Sequence, residues 1–312
     1  MAGVLLLFYL DGFVLGTPTM LALALLLLGA VVLIGFLRHA GHGPPGTLQP
    51  VSAALAGVAA LAVLVLSRGA LVSVACAAAL VGAAGGLVEV AGRSSQRWQG
   101  VAAPLYCGAF AGMTSELVLG HPAWVVLAGV LAGLVLTVLT NSWSGIGGKL
   151  GTTAFLGVLG ALGVALLSGV MAPGASLHAW SVSERWLVLG AALLSPLLTH
   201  ALSYRWGWGA VLGSALPSLL VALLLALLPL PPGVTPAPLA AMWLGASFVG
   251  MSSPERLAPR PVPLLLAMGL LFALLSFCFA PRLAGIGGDL GATAAVSVFA
   301  VLGARVLVRT RR

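Results

Sequence analysis

The chain has 312 residues, of which 61% are hydrophobic and only 6% charged, and its mean hydropathy is +1.16. Soluble domains carry about a quarter charged residues, so this composition excludes an ordinary soluble globular protein. The net charge of +8 is not organised into a basic stripe with interleaved aromatic residues, so we expect no nucleic-acid partner. The composition predicts an integral membrane protein in contact with a lipid bilayer.

Apolar stretches of about 20 residues, separated by short polar breaks, predict about 11 transmembrane helices. Strands of a membrane barrel would show alternating polarity instead, so the predicted fold class is an all-α polytopic membrane protein. The predicted crossings are residues 18–37, 49–67, 69–91, 101–119, 123–141, 150–171, 185–203, 207–230, 236–253, 262–281 and 290–308.

The basic residues favour one side of these segments. If the 11 segments alternate in direction, 11 of the 14 Lys and Arg residues fall on the side of the carboxyl terminus. Because basic loops stay in the cytoplasm, this asymmetry predicts a cytoplasmic carboxyl terminus in a bacterial-type cytoplasmic (inner) membrane. The three exceptions are Arg68, Arg185 and Arg282.

Two short phrases each occur twice in the chain. The Gly-rich phrase SGIGGKLGTTA at 144–154 returns as AGIGGDLGATA at 284–294, an offset of 140 residues from Gly145 to Gly285. The phrase FAGMTS at 110–115 returns as FVGMSS at 248–253, an offset of 138 residues from Phe110 to Phe248. Because both phrases recur in the same order with similar spacing, the sequence predicts two structural repeats.

These repeats define the predicted domain organisation. Residues 1–48 form an N-terminal segment with one extra transmembrane helix, 49–172 form repeat 1 with five helices, and 183–309 form repeat 2 with five helices. Five crossings end on the opposite side of the membrane from where they began. The second repeat is therefore predicted to have inverted topology relative to the first.

The Gly-rich phrases are predicted to be helix breaks that bind a solute. A helix starts after each break, so unpaired N–H groups and the positive end of its dipole face the break. A turn that only packs neighbouring helices would also be rich in glycine, and this alternative stays open. The predicted substrate-binding residues, from both phrases, are Gly145, Gly147, Gly148, Lys149, Thr152, Thr153, Gly285, Gly287, Gly288, Asp289, Thr293, Thr114, Ser115, Ser252 and Ser253.

Acidic residues near the phrases are candidates for coupling to H⁺ or Na⁺. Lys149 and Asp289 have opposite charges at equivalent positions, which predicts different roles, although two residues at headgroup level would give the same pattern. Glu116 and Glu255 follow the two copies of the second phrase, and solvated ion pairs are the alternative for both. The coupling candidates are therefore Asp289, Glu116 and Glu255.

Together these features predict a secondary transporter for a small polar or anionic solute. A passive solute channel of the same inverted-repeat plan, or a membrane assembly or lipid-handling factor, are the alternatives. We expect no enzyme, because the chain has no HExxH motif and no nucleophile with a recognisable partner, and we expect no metal or cofactor. The sequence leaves open whether the protein forms a homo-oligomer.

Overall fold

A computed structural model describes residues 19–39, 41, 46–68, 72–169 and 178–310, and 77% of the described residues are helical, with no strands among them. The predicted N-terminal segment, residues 1–48, therefore lies partly outside the described residues. Eleven helices of more than ten residues follow one another in the described part. They are α1 (Thr19–His39), α2 (Pro50–Arg68), α3 (Val74–Ala91), α4 (Ala102–Gly112), α5 (Pro122–Val138), α6 (Lys149–Leu167), α7 (Val182–His200), α8 (Ala210–Leu227), α9 (Pro236–Gly250), α10 (Pro261–Leu283) and α11 (Asp289–Thr310).

Seven of these helices are long and apolar enough to cross a membrane, as in a polytopic membrane protein. They are α2, α3, α6, α7 extended by the π turn Ala201–Arg205, α8, α10 and α11. The apolar helices α5 and α9 are shorter, and α1 is apolar over Leu27–His39. The predicted crossing 101–119 is helical only over the 11 residues of α4, which are too few to span the hydrocarbon.

Local sequence sets several of the helix starts. The Ser73 hydroxyl accepts a hydrogen bond from the Cys76 N–H at the start of α3. Ser181 and Glu184 form a reciprocal capping box at the start of α7. Proline occupies the first turn of α5, α9 and α10, where its missing N–H has no consequence.

The helices pack in two groups. Helices α2, α4, α5 and α6 form one connected group, and α7, α9, α10 and α11 form the other. The groups are joined where α3 packs on α8 and α9, where α6 crosses α11 and where the rings of α4 and α9 meet, while α1 lies against α11. At the α6–α11 crossing the backbones touch, since a Cβ on Gly151 would lie 2.5 Å from the Cα of Gly291.

We predict that Gly151→Ala destabilises the protein by about 1–3 kcal/mol, because the added methyl group must push the α11 backbone away. The thermal unfolding midpoint of the purified protein in detergent measures the effect. Gly163→Ala, on the same helix, is the matched control, because a Cβ there meets no atom within 4 Å. Its midpoint is expected to stay level or rise, since alanine favours a helix by roughly 0.5–1 kcal/mol over glycine. Equal midpoints for the two variants would contradict the tight crossing.

Candidate functional site

The two Gly-rich loops, residues 145–148 and 285–288, each lead directly into a membrane helix. Gly148 and Gly288 precede α6 and α11 with φ angles of +83° and +84°, a left-handed conformation that glycine adopts without strain. Helices α6 and α11 then begin at Lys149 and Asp289, so both charged residues stand in the first turn of a helix. The first N–H groups of each helix lie beside the loop, and at the start of α11 two of them have partners: the Asp289 N–H donates to Ile286 O at 3.3 Å, and the Leu290 N–H donates to Asp289 Oδ1 at 2.7 Å.

Each Gly-rich loop is bound by a hydroxyl group from the other half of the chain. The Gly147 N–H donates to Ser252 Oγ at 3.1 Å, and the Gly287 N–H donates to Thr114 Oγ1 at 3.2 Å. Both hydroxyls are buried. Thr114 and Ser252, predicted to bind solute, thus act first as hydrogen-bond partners of the loops.

Backbone hydrogen bonds repeat the same pairing. The Ser253 N–H donates to Gly145 O at 3.0 Å, and the Ser115 N–H donates to Gly285 O at 2.8 Å. The FAGMTS and FVGMSS phrases follow from α4 and α9, which end at Gly112 and Gly250. Each phrase therefore completes the hydrogen bonding of the Gly-rich loop that is distant in sequence.

The predicted threonines bond to the first turns of their own helices. Thr152 Oγ1 donates to Gly148 O at 2.9 Å and Thr293 Oγ1 donates to Asp289 O at 3.0 Å. Thr153 Oγ1 donates to Leu150 O at 2.7 Å. Of the three, Thr293 lines the cavity described below.

The ammonium group of Lys149 is engaged with backbone carbonyls. Its Nζ donates to Thr140 O at 3.0 Å and to Ser142 O at 2.6 Å, in the turns that follow α5. The Arg256 guanidinium donates to Ser144 O at 3.0 and 3.2 Å in the same connection. These two cations fasten the connection between α5 and α6.

Asp289, at the equivalent position, lines an open cavity of about 690 Å³. Its Oδ1 accepts the Leu290 N–H at 2.7 Å, and the side chain is partly exposed. The cavity lies among the end of α2, the starts of α3 and α9, the second half of α10 and the loop before α11. Lys149 is not among the described residues that line this cavity.

The walls of this cavity are largely apolar, with a few polar groups. Met113, Met242, Phe277 and Phe279 contribute apolar surface. The hydroxyl of Ser276 is buried and has no hydrogen-bond partner among the described residues. The buried indole N–H of Trp180 is unpartnered in the same way, and Ser67, Ser73 and His178 also line the cavity.

A pair of phenylalanine rings borders a second, smaller space next to the cavity. A smaller space of about 10 Å³, roughly the room of one water molecule, shares Met113 and Asp289 with the cavity and is bordered by Phe110 and Phe248. The two ring centroids are 4.6 Å apart. These rings were not predicted as site residues, although each is the first residue of its copy of the second phrase.

A buried carboxylate, that of Glu184, connects the elements beside the cavity. Glu184, only 1% exposed, accepts hydrogen bonds from the Thr235 N–H at 2.9 Å and the Thr235 hydroxyl at 2.6 Å. Its Oε1 lies 3.2 Å from Nε2 of His178, which lines the cavity. Glu184 therefore ties the starts of α7 and α9 together. The capping-box spacing Ser181-x-x-Glu184 was the sequence signal for its position.

The other two coupling candidates lie elsewhere. Glu116 is exposed and forms an ion pair with Arg68. Glu255 is fully exposed in the four-residue helix Pro254–Leu257, and a hydrogen bond with the Ser253 side chain lowers the pKa of its carboxyl group. Glu255 is therefore ionised at neutral pH, and it does not line the cavity.

Within the described part of the chain, no group of three or more His, Cys, Asp and Glu side chains is placed to hold a metal ion. Comparison with protein-family models, with curated proteins and with solved structures finds no match to this chain.

We predict that Thr114→Val destabilises the protein by about 1–3 kcal/mol, because the buried Gly287 N–H loses its acceptor while the shape of the side chain is kept. Thermal unfolding in detergent measures the change. Thr114→Ser retains the hydroxyl and is expected to unfold within a few degrees of the unaltered protein. If the valine and serine variants unfold at the same temperature, the cross-half hydrogen bond does not hold the loop.

Proposed function

We propose that the protein is a secondary transporter for a small polar solute in a bacterial-type cytoplasmic membrane, with residues 49–172 and 183–309 as inverted repeats and a cytoplasmic carboxyl terminus. The cavity beside Asp289, which adjoins the small space bordered by Phe110 and Phe248, is the observation that carries this proposal. In transporters built from inverted repeats, the solute site lies between the repeats at interrupted helices. The cavity borders one such interruption, the loop before α11.

Reciprocal contacts support the inverted-repeat part of the proposal. A Cβ on Gly148 would lie 2.5 Å from Gly291 O, and a Cβ on Gly288 would lie 2.5 Å from Gly151 O. Adding the 140-residue offset to Gly148 and Gly151 gives Gly288 and Gly291. The two contacts therefore join equivalent residues with the two halves of the chain exchanged. Contacts that exchange in this way are expected around a twofold axis.

The second loop pairing obeys the same exchange. The Gly147–Ser252 hydrogen bond becomes the Gly287–Thr114 hydrogen bond when the 140-residue and 138-residue offsets are applied. An axis through the α6–α11 crossing and the Phe110–Phe248 pair accounts for both sets of contacts. Alternating access would then rock the two helix groups about this axis.

Three basic side chains next to the first Gly-rich loop, called the clamp below, support a structure that is closed on the Lys149 side. Besides Lys149 and Arg256, Arg305 of α11 donates to the Arg256 carbonyl at 3.2 Å and to the Ala258 carbonyl. The clamp thus joins the connection between α5 and α6 to α11 and to the short helix before α10. We propose that the clamp opens when the cavity around Asp289 closes.

The chemistry of the cavity limits the class of solute that it can bind. The sequence predicted a small polar or anionic solute, but the ammonium group of Lys149, which could have bound an anion, is bound to carbonyls. The cavity instead presents the carboxylate of Asp289, so we propose a neutral polar or cationic solute. Asp289 is also the coupling candidate that this location favours for H⁺ or Na⁺.

A passive channel on the same plan is the second candidate. The low number of acidic residues favours it, because ion coupling commonly uses carboxylates. The contact between the tilted Phe110 and Phe248 rings and the clamp at Lys149 favour a carrier, since a solute would have to displace both to pass. An assembly or lipid-handling factor would not require a solute-sized cavity with a carboxylate at its inner end.

We predict that the purified protein in liposomes takes up solutes from a panel of neutral and cationic candidates when a proton or sodium gradient is imposed. Asp289→Asn should abolish the gradient-dependent part, because the carboxylate that would bind the coupling ion is lost. Glu116→Gln is the control and should retain uptake, since Glu116 is exposed and paired with Arg68. Equal, gradient-independent flux in all three proteins would overturn the carrier proposal and favour the channel.

We predict that Phe110→Ala combined with Phe248→Ala gives a leak at least tenfold above the unaltered protein, because removing both rings opens the inner end of the cavity. Liposome swelling in a gradient of a small neutral solute measures the leak without a coupling ion. Phe36→Ala is the control, since Phe36 packs against Trp143 and Phe299 away from the cavity. No leak in a correctly folded double variant would show that the pair does not block the path.

A further inference from the structure

We propose that the cavity around Asp289 binds an organic cation with apolar substituents, such as a quaternary ammonium ester. This inference rests on the proposed function for the role of the cavity and names the class of solute that the cavity takes. It is carried by two features of the cavity wall: one carboxylate, and a set of aromatic and thioether side chains.

The carboxylate supplies the charge preference. Asp289 stands at the inner end of the cavity, where it also borders the small space beside Phe110 and Phe248. Its Oδ1 accepts the Leu290 N–H, and the positive end of the α11 dipole offsets part of its negative charge. An unpaired charge in apolar surroundings is unfavourable in free energy. A cation in the cavity would therefore stabilise the ionised form of Asp289.

The apolar wall supplies the preference for organic substituents. The Trp180 and Phe277 rings stand edge to face with centroids 5.8 Å apart, and both line the cavity. Aromatic faces attract alkylated ammonium groups, which lose little hydration on binding. Met113 and Met242 add polarisable thioethers that adapt to ligands of different shape. A small inorganic cation would leave this surface unused.

Two residues that line the cavity also carry polar groups without a hydrogen-bond partner among the described residues. The Trp180 indole N–H is one of them, and because its nitrogen is covered by surrounding protein atoms, a ligand in the cavity would reach it only after a side-chain movement. The Ser276 hydroxyl, on a side chain 5% exposed, is unpartnered as well among the described residues and lines the same cavity. The volume of about 690 Å³ lies within the roughly 300–1,000 Å³ of pockets that enclose drug-sized molecules.

Benzoylcholine and its neutral isostere 3,3-dimethylbutyl benzoate test the inference, because they share a shape and differ in the charge of one atom. Binding to the purified protein in detergent is measured by titration calorimetry, with empty micelles subtracted. We expect benzoylcholine to bind at least tenfold more tightly than the isostere. Equal affinity for the two compounds, or no detectable binding of benzoylcholine, overturns the inference.

Variants then assign the preference to the carboxylate. Asp289→Asn should weaken benzoylcholine binding at least tenfold and leave the isostere unchanged, whereas Asp289→Glu should retain most of the affinity. Arg97→Gln is the control, since Arg97 is exposed, lies over the Trp98 ring and is not among the described residues that line the cavity, and it should change neither affinity more than twofold. Retained benzoylcholine binding in Asp289→Asn overturns the inference.

A variant that leaves the charge in place covers the case in which Asp289→Asn does not fold. Trp180→Leu removes the ring and the indole N–H but keeps an apolar side chain. It should weaken the binding of benzoylcholine at least fivefold more than the binding of the isostere, because only the cation is attracted to the ring face. Equal losses for both compounds would contradict a cation site.

The experiment separates the solute class from the transport proposal, because binding in detergent needs no gradient. If benzoylcholine binds through Asp289 but no solute is carried in liposomes, the proposed function fails and the cation site stands. If liposomes accumulate an anionic solute and benzoylcholine does not bind, the inference on the solute fails and the transport function stands.

Discussion

The close crossing of α6 and α11 at Gly151 and Gly291 is the contact on which the rest of the centre depends. Within a bilayer the hydrophobic effect does not drive helices together, so close backbone packing between small residues supplies much of the attraction. The crossing places the loops at 145–148 and 285–288 beside each other's helices. Irregular backbone within hydrocarbon must find hydrogen-bond partners in the protein, and the Thr114 and Ser252 hydroxyls are such partners for the two loops.

The two sides of this crossing share a backbone plan but differ in charge. Lys149 uses its ammonium group to hold carbonyls after α5, which closes the structure around the first loop. Asp289 cannot hold carbonyls, since a carboxylate only accepts hydrogen bonds, and the space beside it is a cavity. The side with Lys149 is therefore held closed by hydrogen bonds, and the side with Asp289, which has the opposite charge at the matching position, is open. In a transporter the two arrangements would correspond to a closed gate and an accessible site.

A large part of the helical plan could be predicted from the sequence. Long apolar runs require helices because hydrocarbon leaves backbone groups no other partners, and all 11 predicted crossings contain a helix in the described residues. Lengths were less predictable: the run at 101–119 reads as one crossing, yet α4 ends at Gly112 and the next residues turn to bind the Gly285 loop. Hydropathy does not register such an end, because several residues beyond it, such as Leu117, Val118 and Leu119, are still apolar.

The sequence by itself determined the membrane class, the helical fold and the importance of two repeated phrases, because composition and repetition are properties of the chain alone. Only the tertiary structure decided what each site residue contacts. The partner of Gly147 is 105 residues away at Ser252, and no local rule specifies that pairing. The structure likewise placed Lys149 on carbonyls and Asp289 in a cavity with Trp180 and Ser276, since burial and partners depend on how distant helices pack.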